Sequence, residues 1–210
     1  MAPVAPSSLT TEVVWQPSLL TAAADDPGGF DPLFPSARRR FLGAGAWVDH
    51  APGVLTGGDA LFEQVLRTAP WAGRSRPMYD RIIEEPRLTT GEWDDPPAPV
   101  RALAAALSAR YGADLSSVSA NLYRDGRDSV AWHGDRVGRD RARAIVALVS
   151  LGSARRFLLR PKGGGPSVRY LPSPGDLLVM GGTCQRTWEH CIPKCAAAGP
   201  RISVMFREAY

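Results

Sequence analysis

His133 and Asp135 stand one residue apart in the stretch Asn121 to Asp135, NLYRDGRDSVAWHGD. In an extended chain residues i and i+2 point to the same face, so this imidazole and this carboxylate can reach one metal ion. Two histidines and one carboxylate that leave coordination positions open form the facial triad of non-haem Fe(II) oxygenases. The chain has three histidines, so the second imidazole of such a triad is His50 or His190. A lone His-x-Asp is weak evidence. The residues that accompany it decide its meaning.

Three features do so. His190 follows a Gly181-Gly182 turn far downstream. It can close a triad only if distant strands fold together, as in a jelly roll. His50 precedes the strand-rich part of the chain and has no supporting context. Arg201 and Arg207 flank the strand-like ISVMF. Six residues apart, they share a face and lie about 20 Å apart along a strand. Two guanidinium arms reaching inward over that span suit a five-carbon dicarboxylate, because arginine clamps carboxylates bidentately. Asn121 and Tyr123, spaced i and i+2, share a face and offer neutral hydrogen bonds near a carboxylate ligand.

The elements that must position these side chains are legible in part. Residues 1–40 are rich in Pro, Ala, Ser and Gly and read as an irregular, partly disordered arm that Trp15 and Phe34 would anchor. A helix is expected from Asp59, its N-cap, to Ala69, with Leu61, Phe62, Val65 and Leu66 on one face. A second should run from Pro99 to Arg110 and stop at Gly112. Between them, residues 71–97 lack helical periodicity, and Ile82-Ile83 suggests one short strand. From Ser116 onwards short apolar runs recur at 118–123, 144–150, 156–159, 168–171, 177–180 and 202–206. Gly, Pro and Asp clusters separate them, which argues for a β-sandwich or barrel. Residues 41–115 then form a helical and lid region and 116–210 a β core, with 41–210 one domain.

Composition is that of an ordinary globular protein, 44% hydrophobic and 22% charged. No apolar run reaches membrane-span length and the N-terminus lacks a signal-peptide pattern, so a cytoplasmic, monomeric protein is expected. Cys184, Cys191 and Cys195 have the spacing Cys-x6-Cys-x3-Cys, which matches no common zinc motif; reduced thiols are the expectation. Net charge is +4, and all basic residues except Lys162 and Lys194 are arginine. Nine arginines and four aspartates fall between Asn121 and Arg160, and a basic rim there would attract a polyanion.

The order Asn-x-Tyr, His-x-Asp, His, Arg-x5-Arg resembles the AlkB group of Fe(II)- and 2-oxoglutarate-dependent dioxygenases, which demethylate nucleic-acid bases. Supporting segments are Val149 to Gly152, Pro174 to Asp176, Gln185 to Lys194 (QRTWEHCIPK), Arg201 to Arg207 (RISVMFR) and, upstream, Pro86 to Thr89. The resemblance covers residues 70–210 and is nearest the animal DNA-repair members. It implies an α+β, mainly β fold, a double-stranded β-helix (jelly roll) with N-terminal helices packed on one sheet. It implies Fe(II) held by His133, Asp135 and His190. It further implies 2-oxoglutarate held by Arg201 and Arg207 beside Asn121 and Tyr123, with O2 as oxidant.

The implied reaction removes methyl groups from bases of the 1-methyladenine and 3-methylcytosine type in DNA or RNA, single-stranded or flipped out. Its products are formaldehyde, succinate and CO2. The alternatives are a 2-oxoglutarate dioxygenase acting on a protein or small molecule, and an inactive nucleic-acid-binding module. One departure stands out. Near relatives have acidic residues just after His-x-Asp that help read the base's exocyclic amine, whereas here Arg136-Val137-Gly138 follows. Substrate contacts are expected from Met78, Tyr79 and Arg81, and from Trp93 and Arg160.

Overall fold

Val146–Gly152 is buried along its whole length, because both faces of this strand are covered. Ala147, Val149 and Leu151 belong to one apolar cluster, which includes the helices. Val146 and Leu148 belong to a second, on the opposite side of the strand. Such continuous apolar runs mark strands covered on both faces.

The computed structural model describes residues 13–17, 29–78, 81–137 and 141–209. Arg38–Gly43 (β1) and Ala46–Ala51 (β2) form a hairpin. Helix α1 (Gly58–Thr68) precedes a second antiparallel pair, β3 (Ala72–Met78) and β4 (Arg81–Thr89). Helix α2 (Ala98–Tyr111) leads to β5 (Ser117–Tyr123) and β6 (Val130–His133). Then come β7 (Val146–Gly152), β8 (Phe157–Pro161), β9 (Val168–Tyr170) and β10 (Leu177–Gly182). A single turn, α3 (Cys184–Thr187), precedes β11 (Trp188–Ile192) and β12 (Arg201–Arg207).

The strands form two antiparallel sheets. The major one has the order β1-β2-β10-β7-β12-β5-β4-β3 and the minor one β6-β11-β8-β9. The helices pack on one face of the major sheet, where Leu61, Phe62 and Val65 of α1 and Val100, Leu103 and Leu107 of α2 are buried. The minor sheet covers the other face, with Phe157, Leu159 and Ile192 in the second cluster. This is the expected mainly β jelly roll with helices on one sheet.

Several elements differ from the sequence reading. Strands begin at Arg38, well before the β region expected from Ser116; the short strand expected at Ile82-Ile83 is part of β4, and β1 to β4 join the same eight-stranded sheet as β5, β7, β10 and β12. β1 is exposed almost throughout, and β3 contains Gly and Pro. Such charged or Pro-bearing sequences suit the edges of a sheet and show little apolar alternation. Asp59 lies in the first turn of α1; the N-cap is Gly57, with φ 63°. Of the N-terminal arm, Trp15 packs on Phe62 with ring centroids 4.0 Å apart, and Phe34 is buried. Among the described residues no helix is long and apolar enough to cross a membrane.

Phe62 joins three layers: Trp15 of the arm, α1 itself, and the sheet at Gly152, where an added Cβ would lie 2.8 Å from its ring. Phe62→Ala should therefore lower unfolding free energy by about 3–5 kcal/mol. Urea denaturation should show a lower midpoint at unchanged slope.

Candidate active site

His133 ends β6 and His190 sits in the middle of β11, and the two are direct partners across this antiparallel pair. Directly opposite residues share a face, and the rings lie 4.3 Å apart. Asp135 joins them because the chain turns at Gly134. A Cβ on Gly134 would fall 2.6 Å from the backbone oxygen of Gln185, so any larger residue in the middle of His-x-Asp would force the turn or Gln185 to shift. Gln185 also fixes the carboxylate's own backbone: its Oε1 accepts from the Asp135 N–H at 2.9 Å. One ligand atom from each of His133, Asp135 and His190 lies within 4.8 Å of the others.

The protonation states suit a metal. His133 Nδ1 lies 2.8 Å from the Ala131 carbonyl. A carbonyl only accepts, so this nitrogen is the donor, and Nε2, 4.0 Å from Asp135, is the nitrogen turned toward the triad. His190 is buried and stacked on Phe157 at 5.2 Å. Burial, aided by His133 and opposed by Asp135, pushes its pKa down to about 3. Burial pushes Asp135 up, but Arg207 and the two imidazoles outweigh it and leave the carboxyl below its ordinary value. A neutral imidazole and an ionised carboxylate are the forms that bind metal.

The inner face of β12 presents Arg201, Ser203, Met205 and Arg207 beside the inner face of β5. There Tyr123 is paired with Arg201 and Asn121 with Ser203. Arg207 donates to Asp135 at 3.4 Å and to the Ser119 hydroxyl. Asn121 contacts the Met205 sulfur at 3.4 Å. Arg201 is different. Its guanidinium is fully buried, donates once to Ser150 Oγ at 2.9 Å, and lies 5.6 Å from the Tyr123 ring. Its Nε and Nη1 have no hydrogen-bond partner among the described residues. Burial pushes its pKa down to about 10.

A buried cation with two idle donors calls for an anion. A carboxylate has the fork geometry to take both. The donor set of the triad and this orphaned guanidinium thus fit Fe(II) and 2-oxoglutarate. The triad, Asn121, Tyr123 and Arg207 line one cavity of about 430 Å³, within the range of small-molecule sites; Arg201, fully buried 5.6 Å from the Tyr123 ring, is not itself among the lining residues.

His50, the alternative imidazole, lies on β2, pairs with Asp176 at 3.2 Å and is not part of the triad. Two substrate expectations need correction. Trp93 is buried in the helix-side core and does not line the triad's cavity. Arg160 pairs with Glu189 at 2.6 Å and stacks on Trp132 at 4.0 Å. Its strand partner Glu189 neighbours His190 and so points to the opposite face of the minor sheet. Tyr79 falls outside the described residues, as do the side chains of Met78 and Arg81.

Four of the nine arginines of the basic rim are paired with carboxylates among the described residues. Arg124 pairs with Asp128, Arg127 with Asp125, Arg141 with Glu208 and Arg160 with Glu189. Buried Arg155 donates instead to the carbonyls of Asp125, Asp128 and Pro193. It ties the loop before β6 to the loop after β11 and so steadies both histidine strands. The three cysteines are free, and among the described residues the triad is the one His/Cys/Asp/Glu cluster with metal-binding geometry. Sequence reasoning missed Gln185, Ser150, Phe157 and Arg155 as supports. Only the glycine in His-Gly-Asp hinted at a crowded turn.

Gly134→Ala should displace Asp135 and weaken Fe(II) binding by about 10–100-fold, as loss of ligand-orienting contacts does. Anaerobic metal titration checks this, with circular dichroism confirming an intact fold; an unchanged affinity contradicts the role given to the turn.

Known proteins agree with this geometry. The bovine alpha-ketoglutarate-dependent dioxygenase alkB homolog 3 is 32% identical over 176 residues, 72% of this chain and 62% of that protein. The chain thus spans about three-fifths of that relative's length. The Arabidopsis thaliana DNA oxidative demethylase ALKBH2 is 33% identical over 145 residues, 58% of this chain and 46% of that one. In fold, the solved structure of OsALKBH1 superposes with a TM-score of 0.51 at 15% identity, over 82% of this chain and all of that one. The sequence profile described as the 2OG-Fe(II) oxygenase superfamily matches residues 50–207, and the chain belongs to that superfamily.

Proposed function

We propose that this protein is an Fe(II)- and 2-oxoglutarate-dependent dioxygenase that oxidatively demethylates N-alkylated bases, of the 1-methyladenine and 3-methylcytosine type, in DNA or RNA. The observation that carries the reading is Arg201, a buried guanidinium with two unpartnered N–H groups, on the same strand face as Arg207 at the triad. The nucleic-acid substrate is supported by relatives named as alkB homolog 3 and as DNA oxidative demethylases. The free thiols are compatible with a reducing, cytoplasmic setting, and we take the chain to act as a monomer.

His133, Asp135 and His190 would hold the metal, Arg201 one carboxylate of the co-substrate, and Asn121, Tyr123 and Arg207 its surroundings. Bound together, Fe(II), 2-oxoglutarate and O2 supply the oxidising chemistry that hydroxylates an N-methyl carbon while the co-substrate becomes succinate and CO2; the hydroxymethyl group leaves as formaldehyde. The chain's own part is orientation and dryness. Gln185 and the Ala131 carbonyl fix Asp135 and His133. Val130, Leu148, Phe157 and Ile192 give the cavity apolar walls, which strengthens the electrostatic hold of Arg207 on Asp135. The target base must leave its stack to enter.

Succinate and formaldehyde should rise in step when a 3-methylcytosine oligonucleotide is added to the Fe(II)-loaded protein with 2-oxoglutarate and oxygen. Slow succinate formation unaffected by the oligonucleotide would keep the dioxygenase and reject this substrate.

A further inference from the structure

The cavity that holds the triad is rich in positive charge. Arg74, Arg87, Arg136 and Arg207 line it, and the carboxylates among its described lining are Asp135 and Glu92. Asp135 is committed to the metal triad and to Arg207. Arg87 is paired with Glu85. Arg136, the residue after Asp135, brings a further cation to the wall. Glu92 is exposed, and its side chain has neither a hydrogen bond nor an ion pair with the described residues.

Glu92 is also held in place. The chain leaves β4 and is pinned to β5 on both sides of it: Thr90 N–H donates to the Ala120 carbonyl at 3.0 Å, and Trp93 N–H to the Val118 carbonyl at 2.8 Å. The Thr90 hydroxyl accepts from the Ala120 N–H at 2.9 Å. The Trp93 side chain is sunk into the helix-side core. Between these anchors Gly91, at φ 68°, makes the bend that puts residue 92 at the cavity. A non-glycine residue there would be strained and would also meet the Arg74 guanidinium at 3.3 Å. The anchors fix the backbone from which the carboxylate reaches, and with no partner among the described residues it is available to a ligand.

Resting on the function proposed above, we infer that Glu92 is the specificity-determining carboxylate of this site: it accepts from the exocyclic amine and offsets the positive charge of an N-methylated base. Bases such as 1-methyladenine and 3-methylcytosine are cations near neutral pH and carry an exocyclic nitrogen; 3-methylthymine is neutral and carries a carbonyl there. A cavity of arginines repels a cationic base unless an anion stands among them. Glu92 supplies that anion from the bend after β4, in place of the residue after Asp135. A site built to accept from an amine discriminates strongly against a substrate that lacks it.

The test compares kcat/KM for otherwise identical oligonucleotides carrying one 3-methylcytosine or one 3-methylthymine, read by formaldehyde release. The wild type should prefer 3-methylcytosine. Glu92→Gln, which keeps size and removes charge, should reduce the 3-methylcytosine to 3-methylthymine ratio by about tenfold, the change expected for roughly 1.4 kcal/mol. Asp94→Asn, an exposed acid two residues on that does not line this cavity, should leave the ratio unchanged. Active wild type with an unaltered ratio in Glu92→Gln, or an equal shift in Asp94→Asn, overturns the role of Glu92 and leaves the demethylase standing. Wild type that releases formaldehyde from neither oligonucleotide overturns the demethylase reading itself, and this inference with it.

Discussion

A guanidinium sealed from water with one protein partner is a costly thing to fold around. Arg201 has no exposed surface and meets a single acceptor, the Ser150 hydroxyl. An uncompensated buried charge costs several kcal/mol, and nothing in the surrounding β7 and β5 strands repays it. Gly152 faces it on one side and Tyr123 on the other, neither of them an anion. The arrangement becomes intelligible once the cavity between the sheets is completed by a carboxylate ligand.

The rest of the architecture serves this buried polarity. Strands β5, β7, β10 and β12 are two-faced. Ile202, Val204 and Phe206 fill the helix-side core, while Arg201, Ser203 and Arg207 turn toward the minor sheet. The helices thus let the major sheet give up one apolar face without losing stability. On the facing sheet, antiparallel pairing of β6 with β11 sets the two imidazoles opposite each other, and Gly134 with Gln185 swings the carboxylate between them. Long-range pairing places residues 133 and 190 together as firmly as 133 and 135.

That two-faced pattern explains what the sequence disclosed. The order Asn121, Tyr123, His133, Asp135, His190, Arg201, Arg207 is visible because these residues do chemistry that few other types can do. Both helices and most of the buried strands were visible because each carries its own apolar periodicity. β1 and β3 were not, since edge strands such as RRRFLG and AGRSRPM bury little and are recognised only by what they pair with. β6 and β11 were hidden because the site itself interrupts their pattern. The arginine excess was only partly legible for a related reason: sequence counts charges, whereas in space Arg124, Arg127, Arg141 and Arg160 are each answered by a carboxylate while Arg136 lines the cavity. Trp93 looked like a contact for substrate because it is a large aromatic near the site's segments, yet it serves as the buried anchor of the bend beside the cavity.

The most direct measurement is thermal unfolding of the Fe(II)-loaded protein under anaerobic conditions, with and without 2-oxoglutarate, for the wild type and Arg201→Met. Without ligand the variant should unfold at the same temperature as the wild type or higher, because methionine removes an unpaired buried charge. With 2-oxoglutarate the wild type should gain stability as ligand is added, by linkage to binding, and the variant should not. A variant that is much less stable without ligand, yet is still stabilised by 2-oxoglutarate, would contradict the account of Arg201 as the awaiting carboxylate partner.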